Sequence, residues 1–337
     1  MNFIDELKSR IKNNSTRIVF PEGTDSRIVS AAIILSKEKI CKSILIGPED
    51  TITQNAKDSD FDISKFSDTI TIIDPSTSDK VDEYAKKYSS ETAFPEAAAK
   101  VMIKKPLGFA AAMTRFGDAD AYVGGAINRT SDVIQNCRQF IGMEEGIKTP
   151  SSFMIMHTPH FATKEGNAIV FADPGVNINP TSEQLADITI ASARSTKRLL
   201  GWEPRVAMLS FSTKGSAKHK DADKVIEALN MVREREPNLL VDGEMQVDAA
   251  LDKTVASIKI QGDTQVGGNA NVLIFPDLDA ANIAFKLVKI MGEAGAYGPF
   301  LQGFNKTASD LSRGCSVDDI IGVAIMAVLE SQGRALL

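Results

Sequence analysis

The chain has 337 residues, a formal net charge of −6 at pH 7, and is 43% hydrophobic and 24% charged. That length holds one large or two ordinary domains with ample core, and the balance is that of a soluble globular protein. A modestly negative chain argues against nonspecific nucleic-acid binding, which needs a basic surface, but leaves anionic ligands to local Arg, Lys and helix ends.

The first residues, Met1 to Lys8, read as the start of an amphipathic helix of mixed charge and lack the long apolar core of a signal peptide. No stretch reaches the roughly 20 apolar residues of a membrane span, so no membrane partner is expected. Cys41, Cys137 and Cys315 show no paired spacing, which predicts a reducing cytoplasm and no disulfide framework. His157 and His160 have no further Cys or His to complete a metal site, and no metal is expected.

In chain order, residues 17–23 predict a buried strand ending in a turn, 26–38 a helix, 43–47 a strand and 69–73 another. Strands alternating with helices imply βαβ units and a parallel sheet. Residues 55–67 read as a loop with a short helix, and 91–114 as helix interrupted near Pro106. Residues 119–126 form a strand running into Gly124 and Gly125. Arg129, Thr130, Ser131 and Asp132 then lead into a helix, with Ser131 as a candidate N-cap. In an open α/β sheet, ligands bind at the carboxyl ends of strands, so this junction is a candidate site.

Residues 142–150 read as a boundary without periodicity. Segments 152–158 and 168–172 read as paired strands, and Thr181 with Gln184 as a capping box opening a long helix. Strand 205–211 runs into Ser212, Thr213, Lys214, Gly215 and Ser216, a polar loop whose chemistry suits phosphate although it lacks Walker spacing. Segment 239–248 reads as strand, turn and acidic cluster (Asp242, Glu244, Asp248) that caps and positions neighbouring loops. Residues 271–279 form a buried strand leaving into a helix, and 295–303 a glycine-rich lead into the last motif.

That motif is SRGCSVDDI, residues 312–320. Ser316 and Asp319 have capping-box spacing ahead of an apolar run that reads as the C-terminal helix, buried deeply or at a dimer interface. Arg313 adds a planar fork suited to phosphate or carboxylate. The local pattern taken alone favours a plain helix cap, with an anion site as the alternative.

Four stretches, MLSFSTKGSAK (208–218), VDGEMQVDAA (241–250), ANVLIFPDL (270–278) and DLSRGCS (310–316), together resemble signatures of the phosphate acetyl/butyryltransferase family. The likeness spans essentially the whole chain and is densest from Phe171 onward. It implies an α/β protein of two domains, each a parallel or mixed sheet flanked by helices, with the active-site cleft between them. Domain I would comprise residues 1–146 plus 297–337, and domain II residues 147–296. It also implies a cytoplasmic homodimer that transfers acetyl reversibly between acetyl phosphate and coenzyme A (CoA), releasing or consuming inorganic phosphate. CoA and acetyl-CoA are then substrates, and no cofactor is permanently bound.

By motif position, Asp319 would help remove the CoA thiol proton, Ser312 would hydrogen-bond the acyl phosphate, and Arg313 would hold its phosphate. A thiol with a pKa of about 8.5 needs a base near neutral pH, so burial of Asp319 is expected. Arg129, Thr130, Ser131 and the loop from Ser212 to Ser216 would complete the phosphate and CoA contacts. The chain departs from the family where Gln135 replaces an Arg, and in the 84–90 region, where Lys86 and Lys87 are the nearby cations. Propanoyl or butyryl preference and a weakened regulatory module are the alternatives; a dehydrogenase lacks its GxGxxG spacing.

Overall fold

The computed structural model describes residues 3–13, 15–262 and 264–336; Met1 and Asn2 of the expected N-terminal helix lie outside them, and that helix is described over Phe3–Ser9. The strands are β1 Arg17–Phe20, β2 Lys42–Ile46, β3 Ile70–Ile73, β4 Ala121–Gly124, β5 Ser151–His157 and β6 Ala168–Ala172. They continue with β7 Arg205–Leu209, β8 Leu240–Met245, β9 Val272–Ile274, β10 Gly295–Gln302 and β11 Thr307–Asp310. The chain divides into two compact units, Met1–Glu144 with Phe304–Leu337, and Glu145–Gly303.

The first unit holds a parallel five-stranded sheet in the order β11-β4-β1-β2-β3. β1, β2, β4 and β11 are short and almost wholly buried, as strands covered on both faces must be, while β3 at the edge is only partly covered. The helix Ser26–Lys37 follows β1; Asp25 caps it by accepting from the Arg27 N–H. The C-terminal helix Val317–Arg334 returns against that helix and β4, burying Ile320, Ala324, Ile325 and Val328. Within this unit the parallel order places the carboxyl ends of β1, β4 and β11 side by side.

The second unit holds a six-stranded mixed sheet in the order β10-β5-β6-β9-β7-β8. β10, β5 and β6 are antiparallel neighbours, and β6, β9, β7 and β8 run parallel. The expected pair 152–158 and 168–172 is β5 and β6. The glycine-rich stretch expected as a lead-in is instead an edge strand, β10, so residues 297–302 sit in this sheet rather than with domain I. Gly243, read as a turn, lies within β8 beside a register shift. Among the described residues no helix is long and apolar enough to cross a membrane.

Candidate functional site

In the first unit β11 ends at Asp310, and the chain turns through Ser312, Arg313 and Gly314, all exposed, into the C-terminal helix. The turn closes on itself: Cys315 N–H donates to the Ser312 carbonyl at 2.9 Å, and Gly314 N–H to Ser312 Oγ at 3.3 Å. Ser316 is the N-cap, and the capping box is complete. Asp319 N–H donates to Ser316 Oγ at 3.1 Å, while Asp319 Oδ2 accepts from Ser316 N–H at 2.8 Å and from its hydroxyl at 2.9 Å. The expected burial of Asp319 is not found. It is exposed, because the first turn of a surface helix faces solvent and its cap is built from its own neighbours. Arg313 makes no ion pair among the described residues, so its guanidinium is free for an anion. Cys315 is buried at 6% exposure, and burial pushes its thiol up, with Arg27 partly opposing; that is the reverse of a thiolate nucleophile.

The backbone of this turn is held by Arg27, a residue the motifs did not single out. Its Nη1 donates to the carbonyls of Arg313 and Cys315, each at 2.9 Å. Its Nη2 donates to the Ala126 carbonyl at 2.9 Å and to Asp25 Oδ2 at 2.8 Å, and Nε to Asp25 Oδ1 at 3.0 Å. All the donors of one planar fork are therefore used, which locks the 313–315 turn to the loop after β4. No local spacing marks Arg27, since its partners lie about a hundred and nearly three hundred residues away.

Glu22, just past β1, organises that second loop. Its carboxylate accepts from the N–H groups of Gly125, Ala126, Ile127 and Asn128 and from Asn128 Nδ2, at 2.7 to 3.0 Å. A concavity of backbone donors that would suit an outside anion is thus filled by the chain's own carboxylate, 2% exposed. Beyond it Arg129 is the N-cap of the short helix Thr130–Asn136, so Ser131 is inside the first turn and not its cap. Arg129, Thr130 and Ser131 are exposed. Thr130 Oγ1 donates to Asp310 Oδ2 at 2.5 Å, which ties this segment to the end of β11 and so to Ser312 two residues on. Gly125, at φ +107°, admits this approach: a Cβ there would stand 2.2 Å from Asp310 Oδ1. Gln135 and Arg138 are exposed nearby in sequence, and Lys87 is paired with Glu83 at 2.6 Å.

In the second unit the loop after β7 is built on another buried carboxylate, Glu244, 2% exposed. Ser212 Oγ and Gly215 N–H donate to Glu244 Oε1 at 2.7 and 2.8 Å, and Ser216 Oγ accepts from Thr213 N–H at 2.9 Å. Gly215 takes φ +78°, and Lys214 before it also takes positive φ. Lys214 Nζ pairs with Asp242 and donates to the Gly243 carbonyl at 2.9 Å. The three carboxylates of the acidic cluster have separate partners: Asp242 takes Lys214 and Arg233, Glu244 the loop, and Asp248 the ammonium of Lys259 at 2.6 Å. Among the described residues no group of three or more His, Cys, Asp and Glu is arranged to hold a metal.

The first unit therefore presents exposed hydroxyls, a guanidinium without an ion pair among the described residues, and an exposed carboxylate over residues 312–319, groups suited to holding an anionic substrate. The model described as phosphate acetyl/butaryl transferase matches residues 2–328, and the chain belongs to that family. It is 43% identical over 335 residues to the phosphate acetyltransferase of Thermoanaerobacterium thermosaccharolyticum, covering 98% of this chain and 100% of that one. Identity to the phosphate acetyltransferase of Acetivibrio thermocellus is 40% over 335 residues, 98% of this chain and 99% of that one. A phosphotransacetylase from Streptococcus pyogenes, solved by crystallography, aligns at TM-score 0.87 and 35% identity over 98% of each chain.

Proposed function

We propose that this chain is a phosphate acetyltransferase, moving acetyl reversibly between acetyl phosphate and CoA in a ternary complex. The observation that carries the reading is the turn 312–319, in a chain 43% identical to a phosphate acetyltransferase: Ser312 and Arg313 are exposed, Arg313 makes no ion pair among the described residues, and the turn leads into the capping box that ends on Asp319. In this reading the CoA thiol gives its proton to Asp319, and the thiolate sulfur attacks the acetyl carbonyl. The carbon–oxygen bond to phosphate breaks, and the leaving phosphate is held by Arg313 while Ser312 donates to the oxygen on which charge develops. Asp319 is exposed to an incoming thiol, and its bonds from Ser316 aim the carboxylate.

Thr130, Ser131 and Arg129 serve as phosphate or CoA contacts in the same reading, together with the loop from Ser212 to Ser216. CoA is a substrate rather than a resident cofactor. A homodimer in the cytoplasm belongs to the reading too, supported by the family resemblance and by three free, buried cysteines. Acetyl-CoA formation from acetyl phosphate and CoA tests it, with wild type and Arg313→Ala in parallel. Turnover by the wild type and a loss of about 10²- to 10³-fold in the variant are expected. A folded wild type inert toward acetyl, propanoyl and butyryl phosphate overturns the reading. Competition among those three phosphates reads the acyl preference.

A further inference from the structure

Asp310 is a buried carboxylate beside the turn that the reaction as written does not use. It is 8% exposed; Oδ2 accepts from the Thr130 hydroxyl at 2.5 Å, and Oδ1 is buried with no hydrogen-bond partner. Among the described residues it has no ion pair, and no cation compensates its charge. Glu22 faces it from the loop after β1, Tyr122 from β4 with a buried, unpartnered hydroxyl, and Cys137 from the end of the Thr130–Asn136 helix. Of the two carboxylates, Glu22 is the better satisfied, by its ring of N–H donors; Asp310 has one hydroxyl. A proton entering this cluster therefore goes to Asp310. Burial pushes Asp310 up to about 6; the Thr130 bond pulls it down, the charge of Glu22 pushes it up further, and the backbone N–H of Leu311 pulls it down slightly.

Thr130 has one hydroxyl proton. While Asp310 is ionised, that proton is committed to Asp310 Oδ2, and the side of Thr130 open to solvent offers only lone pairs, which repel an anion. Once Asp310 is protonated the bond reverses: the carboxyl O–H donates to Thr130 Oγ1, and the threonine O–H is released to donate outward. We propose that Asp310 is a positioning residue that takes up one solvent proton when acetyl phosphate or inorganic phosphate binds at Thr130, converting Thr130 from an acceptor into a donor toward the anion. The proposal rests on the reading of Thr130 as a phosphate contact. The balance is one proton in per anion bound, returned to solvent when the site empties; no covalent bond changes.

The test is the KM for acetyl phosphate at saturating CoA between pH 6 and 8.5, for wild type, Asp310→Asn, Thr130→Val and Thr130→Ser. Asparagine mimics the protonated state, because its amide donates to Thr130 at every pH. The ratio of wild-type to Asp310→Asn KM is expected to rise toward tenfold per pH unit above about 6, since ionisations of CoA and acetyl phosphate are common to both proteins and cancel. Thr130→Ser keeps that rise. Thr130→Val raises KM throughout and abolishes it, and adding Asp310→Asn to Thr130→Val changes nothing more. A ratio that stays constant with pH, with Thr130→Val still raising KM, overturns the coupling alone. A KM untouched by Thr130→Val overturns the phosphate role of Thr130, and the coupling with it.

A melting series supplies a readout independent of turnover. A carboxyl raised in the folded state contributes stability at low pH that is lost as pH rises through about 6, so wild type should lose stability relative to Asp310→Asn between about pH 4 and 6.5 and run level with it above. A parallel response of the two proteins places Asp310 outside any such titration and overturns the proposal.

Discussion

The loop after β7 and the turn after β11 are assembled from the same kinds of residue, yet they differ in what is left over. In the loop, Ser212, Gly215 and Lys214 spend their donors on Glu244 and Asp242 of the neighbouring strand. In the turn, Arg27 takes the backbone carbonyls and leaves the Ser312 and Arg313 side chains exposed. The difference leaves side chains free in the turn and largely consumed in the loop, which their similar composition does not show.

The largest expected effect separates the two regions directly. Arg313→Ala should cost about 10²- to 10³-fold in kcat/KM, whereas Lys214→Ala, whose ammonium is already paired, should cost less than about tenfold. Equal losses in steady-state assays would erase the distinction. Next, Glu22→Ala leaves buried N–H donors without an acceptor and should cost about 3 kcal/mol in urea unfolding, a large share of a domain's stability. A change below about 1 kcal/mol would mean that water replaces the carboxylate easily.

Arg27→Ala should lower kcat about 10- to 100-fold with a smaller change in KM for acetyl phosphate, because it loosens the turn without removing a group from it. An unchanged kcat would show that the 313–315 turn holds its shape alone. Ser316→Ala should remove about 1 kcal/mol of helix stability and also free Asp319 to rotate, seen as a fall in kcat. Smallest, Gln135→Arg adds a cation where the family pattern has one. It should lower KM for CoA by about fivefold if CoA's phosphates approach that helix, in line with a charge-assisted bond of about 1 kcal/mol. No change would detach Gln135 from CoA binding.

Much of this was readable along the chain where the deciding interactions are local. The capping boxes at Thr181 with Gln184 and at Ser316 with Asp319 are both present, because each is closed by residues three apart. The alternation of short buried strands with helices predicted parallel sheet, and β1 to β4 with β11 form one. β10 was not readable: a glycine-rich stretch takes its extended form from pairing with β5, more than a hundred residues earlier. The acidic cluster was readable in part: Glu244 and Asp242 do hold the neighbouring loop after β7, but which cation each carboxylate takes, among Lys214, Arg233 and Lys259, is decided by contacts distant in sequence.

By itself the sequence determined the α/β class, the family and the identity of the turn 312–319, since those rest on periodicity and on motifs continuous in the chain. Tertiary structure alone decided which donors are free and which are consumed, that Asp319 is exposed rather than buried, and that Asp310, Glu22 and Arg27 stand around that turn. Burial and hydrogen-bond satisfaction are sums over neighbours brought together from β1, β4 and β11, and no single segment of the chain contains them.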